Sequence, residues 1–162
     1  MTDKGTTPAA LTREIQFLLR DLIGRLHQLN DAIGARIDLK AGDIEILDLV
    51  ARYGPMSPSE VTASTGIHPA TLTGVLDRLE QAGWLSRLPD PEDRRRIRLE
   101  ASRERGPEMV RLYAPMNRSI TELCAGLSED QLTVIRDFLR DATAAGIEAA
   151  AELRGIVDSS SG

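Results

Sequence analysis

Aromatic residues make up only 3% of this 162-residue chain. That scarcity removes the stacking platforms on which proteins that bind single-stranded nucleic acid lay out their bases, so any nucleic-acid partner is expected to be duplex. A single cysteine, Cys124, excludes an internal disulfide framework and fits a reducing compartment. The two histidines, His27 and His68, lie far apart in sequence and with that one cysteine offer no recognisable metal-ligand spacing. No metal and no cofactor is expected. No stretch approaches the roughly 18 apolar residues of a membrane span, and the opening MTDKGTTPAA is not a basic leader followed by an apolar run. A cytoplasmic protein without membrane contact is therefore expected. Catalytic constellations are missing too. There is no glycine-rich phosphate loop, no serine at a nucleophile elbow, no cysteine with a nearby histidine motif and no acid pair in an acid/base setting, so the chain does not read as an enzyme. No internal repeat is found.

Positive charge is also in deficit, with a formal charge of −5 and a pI near 5.1. This rules out a uniformly basic coat, yet phosphate is contacted within a Debye length of roughly 8–10 Å, and arginines can be bunched on that scale. They are bunched here: Arg94, Arg95, Arg96 and Arg98 fall within five residues.

Those arginines close the most informative stretch of the chain, Ser57 to Leu99. Ser57, Pro58, Ser59 and Glu60 read as a capping box with proline where no amide partner is needed. Val61 and Ala63 supply small apolar contacts, and Gly66 suits the positive φ of a helix-turn-helix corner. A second helix follows from Pro69. Leu72, Val75, Leu76 and Leu79 form its inner stripe, while Ala70, Thr71, Thr73, Gly74, Asp77 and Arg78 make an outer face small enough to enter a major groove. Gly83 ends it. Residues 84–88 then read as a strand, 89–93 as a polar turn, and 96–99 as a returning strand. Two short helices about a tight turn, followed by a basic hairpin, make a winged helix-turn-helix.

With these residues in view the chain resembles the MarR family of regulators, from about Leu11 to about Arg154. LEQAGWLSR at 79–87 resembles the family's exit from the recognition helix, and DPEDRRRIRL at 90–99 resembles its Asp-x-Arg wing. The resemblance implies that Thr71, Thr73 and Arg78 lie on the recognition helix. It further implies that Arg95 is the wing-tip arginine entering a minor groove, flanked by Arg94 and Arg96, and that Asp93 is the acid orienting the wing. Two positions depart from the family pattern. Gly74 stands where a basic residue is common, and His68 where a Ser or Thr cap is usual.

Long amphipathic segments flank this head. From Leu11, a stripe of Ile15, Leu18, Leu19, Leu22, Ile23, Leu26, Leu29 and Ile33 runs about five turns, with Asp21 placed to pair with Arg25. Ile44, Leu47 and Val50 begin a supporting helix that ends at Gly54 and Pro55. After the wing, Ser102 offers one cap and Gly106–Pro107 a later start, Pro115 predicts a kink, and Ser128 with Gln131 makes a second capping box before Leu132, Ile135, Phe138 and Leu139. The expected organisation is a flexible tail over 1–9, a dimerisation helix over 10–37, the DNA-binding region over 38–100, C-terminal dimerisation helices over 101–155 and a flexible tail over 156–162. In fold class this is mainly α with a small β-wing.

One economical arrangement buries both terminal helices against those of a second copy, and the family resemblance implies the same. The function that follows is a homodimeric, sequence-specific regulator, a repressor, that reads a pseudo-palindromic operator in double-stranded DNA and is released by a small-molecule effector. The competing readings are a winged-helix protein-interaction module that does not bind DNA, and a regulator switched through the Cys124 thiol. For Cys124 the plainer reading is a buried apolar side chain, for His27 a structural or dimer contact, and for Phe17, Tyr53 and Tyr113 core packing.

Overall fold

The computed structural model describes residues 7–159, and side chains as far as Leu153. It divides after Arg105 into two compact units. The first holds α1 (Pro8–Ile37), α2 (Ala41–Tyr53), α3 (Pro58–Thr65), α4 (Pro69–Gln81), β1 (Leu85–Pro89) and β2 (Ile97–Ala101). The second holds α5 (Gly106–Ala125) and α6 (Glu129–Ser159). The fold is mainly helical with one two-stranded antiparallel sheet as its wing, as expected.

Helix starts follow the chemistry of their caps. α1 begins earlier than the apolar stripe suggests, because Thr7 caps it by accepting from the Ala10 amide at 3.3 Å and Pro8 occupies the first turn. Thr7, Pro8 and Ala9, expected in a tail over 1–9, therefore belong to the start of α1, and residues 1–6 lie outside the described residues. α3 shows both halves of its capping box: Ser57 Oγ accepts from the Glu60 amide at 3.2 Å, and Glu60 Oε2 accepts from the Ser57 amide at 2.6 Å. Gly66 has φ 70° and turns the chain into α4. His68 replaces the usual hydroxyl cap there with a ring nitrogen, Nδ1, which accepts from the Ala70 amide at 3.3 Å.

The core lies wholly within the first unit. Val61, Leu79 and Leu99 have no exposed surface, and Ile44, Leu72, Trp84 and Leu85 are almost as deep. The α4 stripe of Leu72, Val75, Leu76 and Leu79 is buried throughout. Each such side chain is worth about 1.5–3 kcal/mol of burial, which fixes the face α4 turns inward. Three sequence expectations fail in this unit: Ala63, Phe17 and Tyr53 are exposed, Phe17 by 69% and Tyr53 by 67%. Phe17 lies on α1 far from the head, and the Tyr53 ring lies by the Arg52 guanidinium near the end of α2. The expected Asp21–Arg25 pair forms at 3.5 Å.

Along the 30 residues of α1 only Ile33 and Gly34 are buried. Nothing from Gly106 through Leu153 is buried either, and Cys124 is partly exposed rather than enclosed. α5 runs unbroken through Pro115, which has no amide to offer the Arg111 carbonyl one turn back. The Ser128–Gln131 capping box forms at the start of α6, with bonds of 2.9 and 3.3 Å. α6 continues to Ser159, so the tail expected from 156 is helical to that point, and residues 160–162 lie outside the described residues.

Gly34 matters because a Cβ there would sit 2.2 Å from the Leu39 carbonyl oxygen, where α1 turns into α2. Gly74, inside α4, has room: its Cβ would meet only the Arg78 guanidinium at 3.6 Å. Gly34→Ala is expected to destabilise the head by about 1–3 kcal/mol through forced backbone movement. Gly74→Ala is expected to stabilise it by about 0.5–1 kcal/mol through lower unfolded-chain entropy. Urea denaturation should move the two midpoints in opposite directions.

Candidate nucleic-acid interface

Burying the stripe of α4 leaves Ala70, Thr71 and Thr73 on its exposed face near the N-terminus. Thr71 is exposed, and the Thr73 hydroxyl donates to the Pro69 carbonyl at 3.0 Å while staying at the surface. Small side chains here let a groove wall approach the helix closely. Arg78, placed on the same helix by sequence, faces elsewhere. Its Nε and Nη2 donate to the two carboxylate oxygens of Asp43 at 3.0 and 2.6 Å, and this hydrogen-bonded pairing raises its pKa further. Asp43 is 1% exposed, and its Oδ2 also accepts from the Lys40 amide at 3.2 Å. Arg78 thus clamps α4 to α2 while keeping 42% of its side chain exposed.

A second clamp joins the recognition helix to the wing. From β1, Arg87 reaches Asp77 and Glu80 on α4 at 2.6 Å each. β1 and β2 pair from Leu85↔Ala101 to Pro89↔Ile97; both start one residue later than the sequence predicts, and β2 ends two residues later. Trp84, expected in the first strand, instead lies buried before it with the Arg105 guanidinium 3.6 Å over its ring. Leu99 extends the sheet by exchanging both backbone hydrogen bonds with Met56, at 2.7 and 3.1 Å.

The wing tip is built on two aspartates. Asp90 Oδ1 accepts from the amides of Glu92 and Asp93 at 2.8 and 3.3 Å, and these amides, the first above all, hold its carboxyl below the ordinary carboxylate range. Asp93 Oδ1 accepts from the Arg95 amide at 3.0 Å, while its other oxygen lies 3.7 Å from Arg96 Nε. Asp93 is thus placed to shape the wing. Arg94 and Arg95 are exposed, and among the described residues neither makes an ion pair. Arg98 points back toward the head, 3.1 Å from Glu60 and 3.3 Å from Asp90.

The sequence thus shows where the arginines lie along the chain and not which acids they meet. Asp43, Asp77, Glu80 and Asp90 went unnoticed as organisers. For Asp90 a signal existed, since an Asp two and three residues before amides in a polar turn reads as an Asx turn. For Asp43 there was none, because its partner lies 35 residues away.

Of the hollows that adjoin this surface, two border α4. One of about 690 Å³ lies among α3, α4 and the wing, with Pro58, Leu72, Leu76 and Ile97 in its mostly apolar lining. The other, about 460 Å³, lies where the end of α1 meets α2 and α4, and is lined by Gly34, Lys40, Asp43, Arg78 and Gln81 among others. Among the described residues no group of histidine, cysteine or acidic side chains could hold a metal, and no helix is long and apolar enough to cross a membrane.

A family model described as MarR family matches residues 39–97, which is the head just described. The HTH-type transcriptional regulator PecS of Dickeya dadantii is 32% identical over 67% of this chain and 68% of its own length. YcgE of Bacillus subtilis, an HTH-type transcriptional regulator, is 30% identical over 75% of this chain and 79% of its own. The chain belongs to the MarR family. As a MarR-family protein it is a DNA-binding transcriptional regulator of the helix-turn-helix type. Its fold matches a crystal structure of MarR with a TM-score of 0.58 at 24% identity, over 83% of this chain and 98% of that one. It also matches Streptococcus pneumoniae FabT, solved in complex with DNA, with a TM-score of 0.63 at 20% identity over 82% and 95% of the two chains.

The Asp43–Arg78 clamp has an asymmetry that mutation can expose. Arg78→Ala strands a buried carboxylate and is expected to cost about 3 kcal/mol. Asp43→Ala frees a guanidinium that already reaches water, so its cost should stay nearer 1 kcal/mol. The double variant should cost far less than the sum, as a denaturation cycle would report.

Proposed function

We propose that this MarR-family regulator is a homodimeric repressor that reads a pseudo-palindromic operator in double-stranded DNA. The observation that carries the reading is the partition of its arginines. Arg78, Arg87 and Arg98 are held by acids of the head, while Arg94 and Arg95 are left exposed at the wing tip. In this reading Thr71 and Thr73 contact base edges or adjacent phosphates in a major groove. Arg95, with Arg94 and Arg96 beside it, enters a minor groove or grips the backbone, and Asp93 orients it. Arg78 acts through Asp43 by fixing the pitch of α4. The FabT structure, solved in complex with DNA, supports a DNA partner for this fold, and the name HTH-type transcriptional repressor NicR, a relative from Pseudomonas putida 31% identical over 74% of this chain, supports repression.

Dimerisation rests on the apolar length of the terminal helices. Leu11, Ile15, Leu18, Leu22 and Leu26 on α1 are each at least 36% exposed, as are Val134, Ile135, Phe138 and Leu139 on α6. A twofold dimer would cover them and set two recognition helices about 34–36 Å apart, one turn of DNA. A small effector in the 460 Å³ hollow, where α1 meets the head, would favour a half-site spacing that the operator does not match. Such a protein works in the cytoplasm.

Fluorescence anisotropy over roughly 50–200 mM salt, the range where phosphate contacts resolve as slopes, tests the DNA reading. Arg95→Ala should weaken operator and random duplex alike and flatten the plot of log K against log salt by about two for the dimer. Thr73→Ala should leave the slope in place and erode the specific-to-nonspecific ratio by up to about 1–3 kcal/mol per base pair affected. A wild type that binds no promoter fragment at low salt would hand the assignment to a protein-interaction module.

The dimer is tested separately. Leu18 and Leu22 are one helical turn apart and exposed in the single chain, so replacing both with Asp should leave the head folded. Sedimentation should then show monomer, and operator affinity should fall with it. A variant that sediments as a dimer overturns the assignment of α1 to the interface.

A further inference from the structure

Glu60, Arg98 and Asp90 form a chain of charge linking the start of α3 to the wing tip. Glu60 Oε2 accepts from the Ser57 amide at 2.6 Å and from Arg98 Nη1 at 3.1 Å. Arg98 Nε lies 3.3 Å from Asp90 Oδ2, and Asp90 Oδ1 accepts from the Glu92 and Asp93 amides that shape the tip. The Met56–Leu99 backbone exchange sets the two ends side by side, since Met56 precedes Ser57 and Leu99 follows Arg98. We propose that Arg98 is a positioning residue for DNA binding: held between Glu60 and Asp90, it sets the angle at which the hairpin presents Arg94 and Arg95, and touches no DNA itself.

Two features separate this from an ordinary surface ion pair. Arg98 keeps only 35% of its side chain exposed and Asp90 only 15%, whereas Arg96, one of the tip arginines, keeps 75%. Second, each acid already accepts backbone amides at a fixed point, Glu60 at the first turn of α3 and Asp90 in the wing turn. The guanidinium therefore joins two anchored carboxylates instead of two free ones, and little further side-chain freedom is lost in making the link. Without Arg98 the Glu60 carboxylate would face the Asp90 charge without its guanidinium partner, and its affinity for protons would rise.

The inference rests on the DNA-binding reading above, and its test turns on a sign. Glu60→Gln and Asp90→Asn keep an oxygen for the backbone amides, as Gln and Asn do in capping boxes and Asx turns. Each removes a negative charge from the arginine-bearing face, and Asp90→Asn also puts an amide nitrogen where Oδ2 faced Arg98. If the acids act by through-space repulsion of phosphate, both variants bind duplex more tightly. If they act by holding Arg98, both bind more weakly, by about two- to fivefold for the loss of one partly exposed ion pair. The salt slope should also become shallower, as contacts made by Arg95 are lost. Amide hydrogen exchange at Glu92, Asp93 and Arg95 should quicken in both variants while α4 amides stay protected, which also confirms that the head is folded. Tighter or unchanged binding in the variants, against a wild type that binds, overturns the positioning role alone. A wild type that binds no duplex overturns the reading beneath it, and the role with it.

Discussion

Among the described residues Asp43 is the one charged side chain that is fully buried, and three donors converge on it: two from the Arg78 guanidinium and one from the Lys40 amide. A carboxylate taken out of water is tolerable only with such compensation, and here the compensation is directional. Apolar burial of Leu72, Val75, Leu76 and Leu79 decides which face of α4 turns inward, but a greasy stripe leaves a helix some freedom to roll and slide. A bidentate pair across 35 residues removes that freedom. The position of Thr71 and Thr73 relative to the wing therefore depends on a side chain of α2 that itself lies in the core.

The same use of acids explains how a chain with a charge of −5 serves a polyanion. Asp43, Asp77, Glu80, Glu60 and Asp90 each face an arginine. Their charges are neutralised at close range, so they matter as fixed anchors more than as a repulsive field. Arg94 and Arg95 are left without such partners, and both stand on a hairpin whose turn is tied by Asp90 and Asp93. Net charge is thus a poor guide to partner here, and the distribution of pairs a better one.

Much of this was legible in the sequence because it is local. Capping boxes at Ser57 and Ser128, the positive φ of Gly66, the buried stripe of α4 and the Asp21–Arg25 pair all join residues within a few positions of each other. Thr7–Pro8 was just as local a signal, and reading from the apolar stripe passed over it. What could not be read was the pairing of distant charges. The place of Arg78 on the helix is visible in the sequence and its pairing with Asp43 is not, and Arg98 reads as one of a run of four although its partners lie on α3 and in the turn. Phe17 differs for another reason: aromatic rings default to the core, and most of α1 has no core to face, while Tyr53 ends α2 beside the Arg52 guanidinium.

That failure of α1 to bury its own stripe bears on regulation. A helix of 30 residues spans about 45 Å, and only its last turns, at Ile33 and Gly34, are enclosed by the head. Those turns end at Asp38 in the left-handed region with φ 57°, and Leu39 folds back so closely that Gly34 admits no Cβ. The joint between the long helix and the head is therefore closely packed, and Asp43 and Arg78 line the hollow beside it. Asp43–Arg78 and Arg87 with Asp77 and Glu80 bind α4 and the wing into one piece, so any shift of the head relative to α1 would carry both together. In a twofold dimer such a shift changes the distance between recognition helices without deforming either, and a ligand needs only a modest preference between two spacings to bias the outcome.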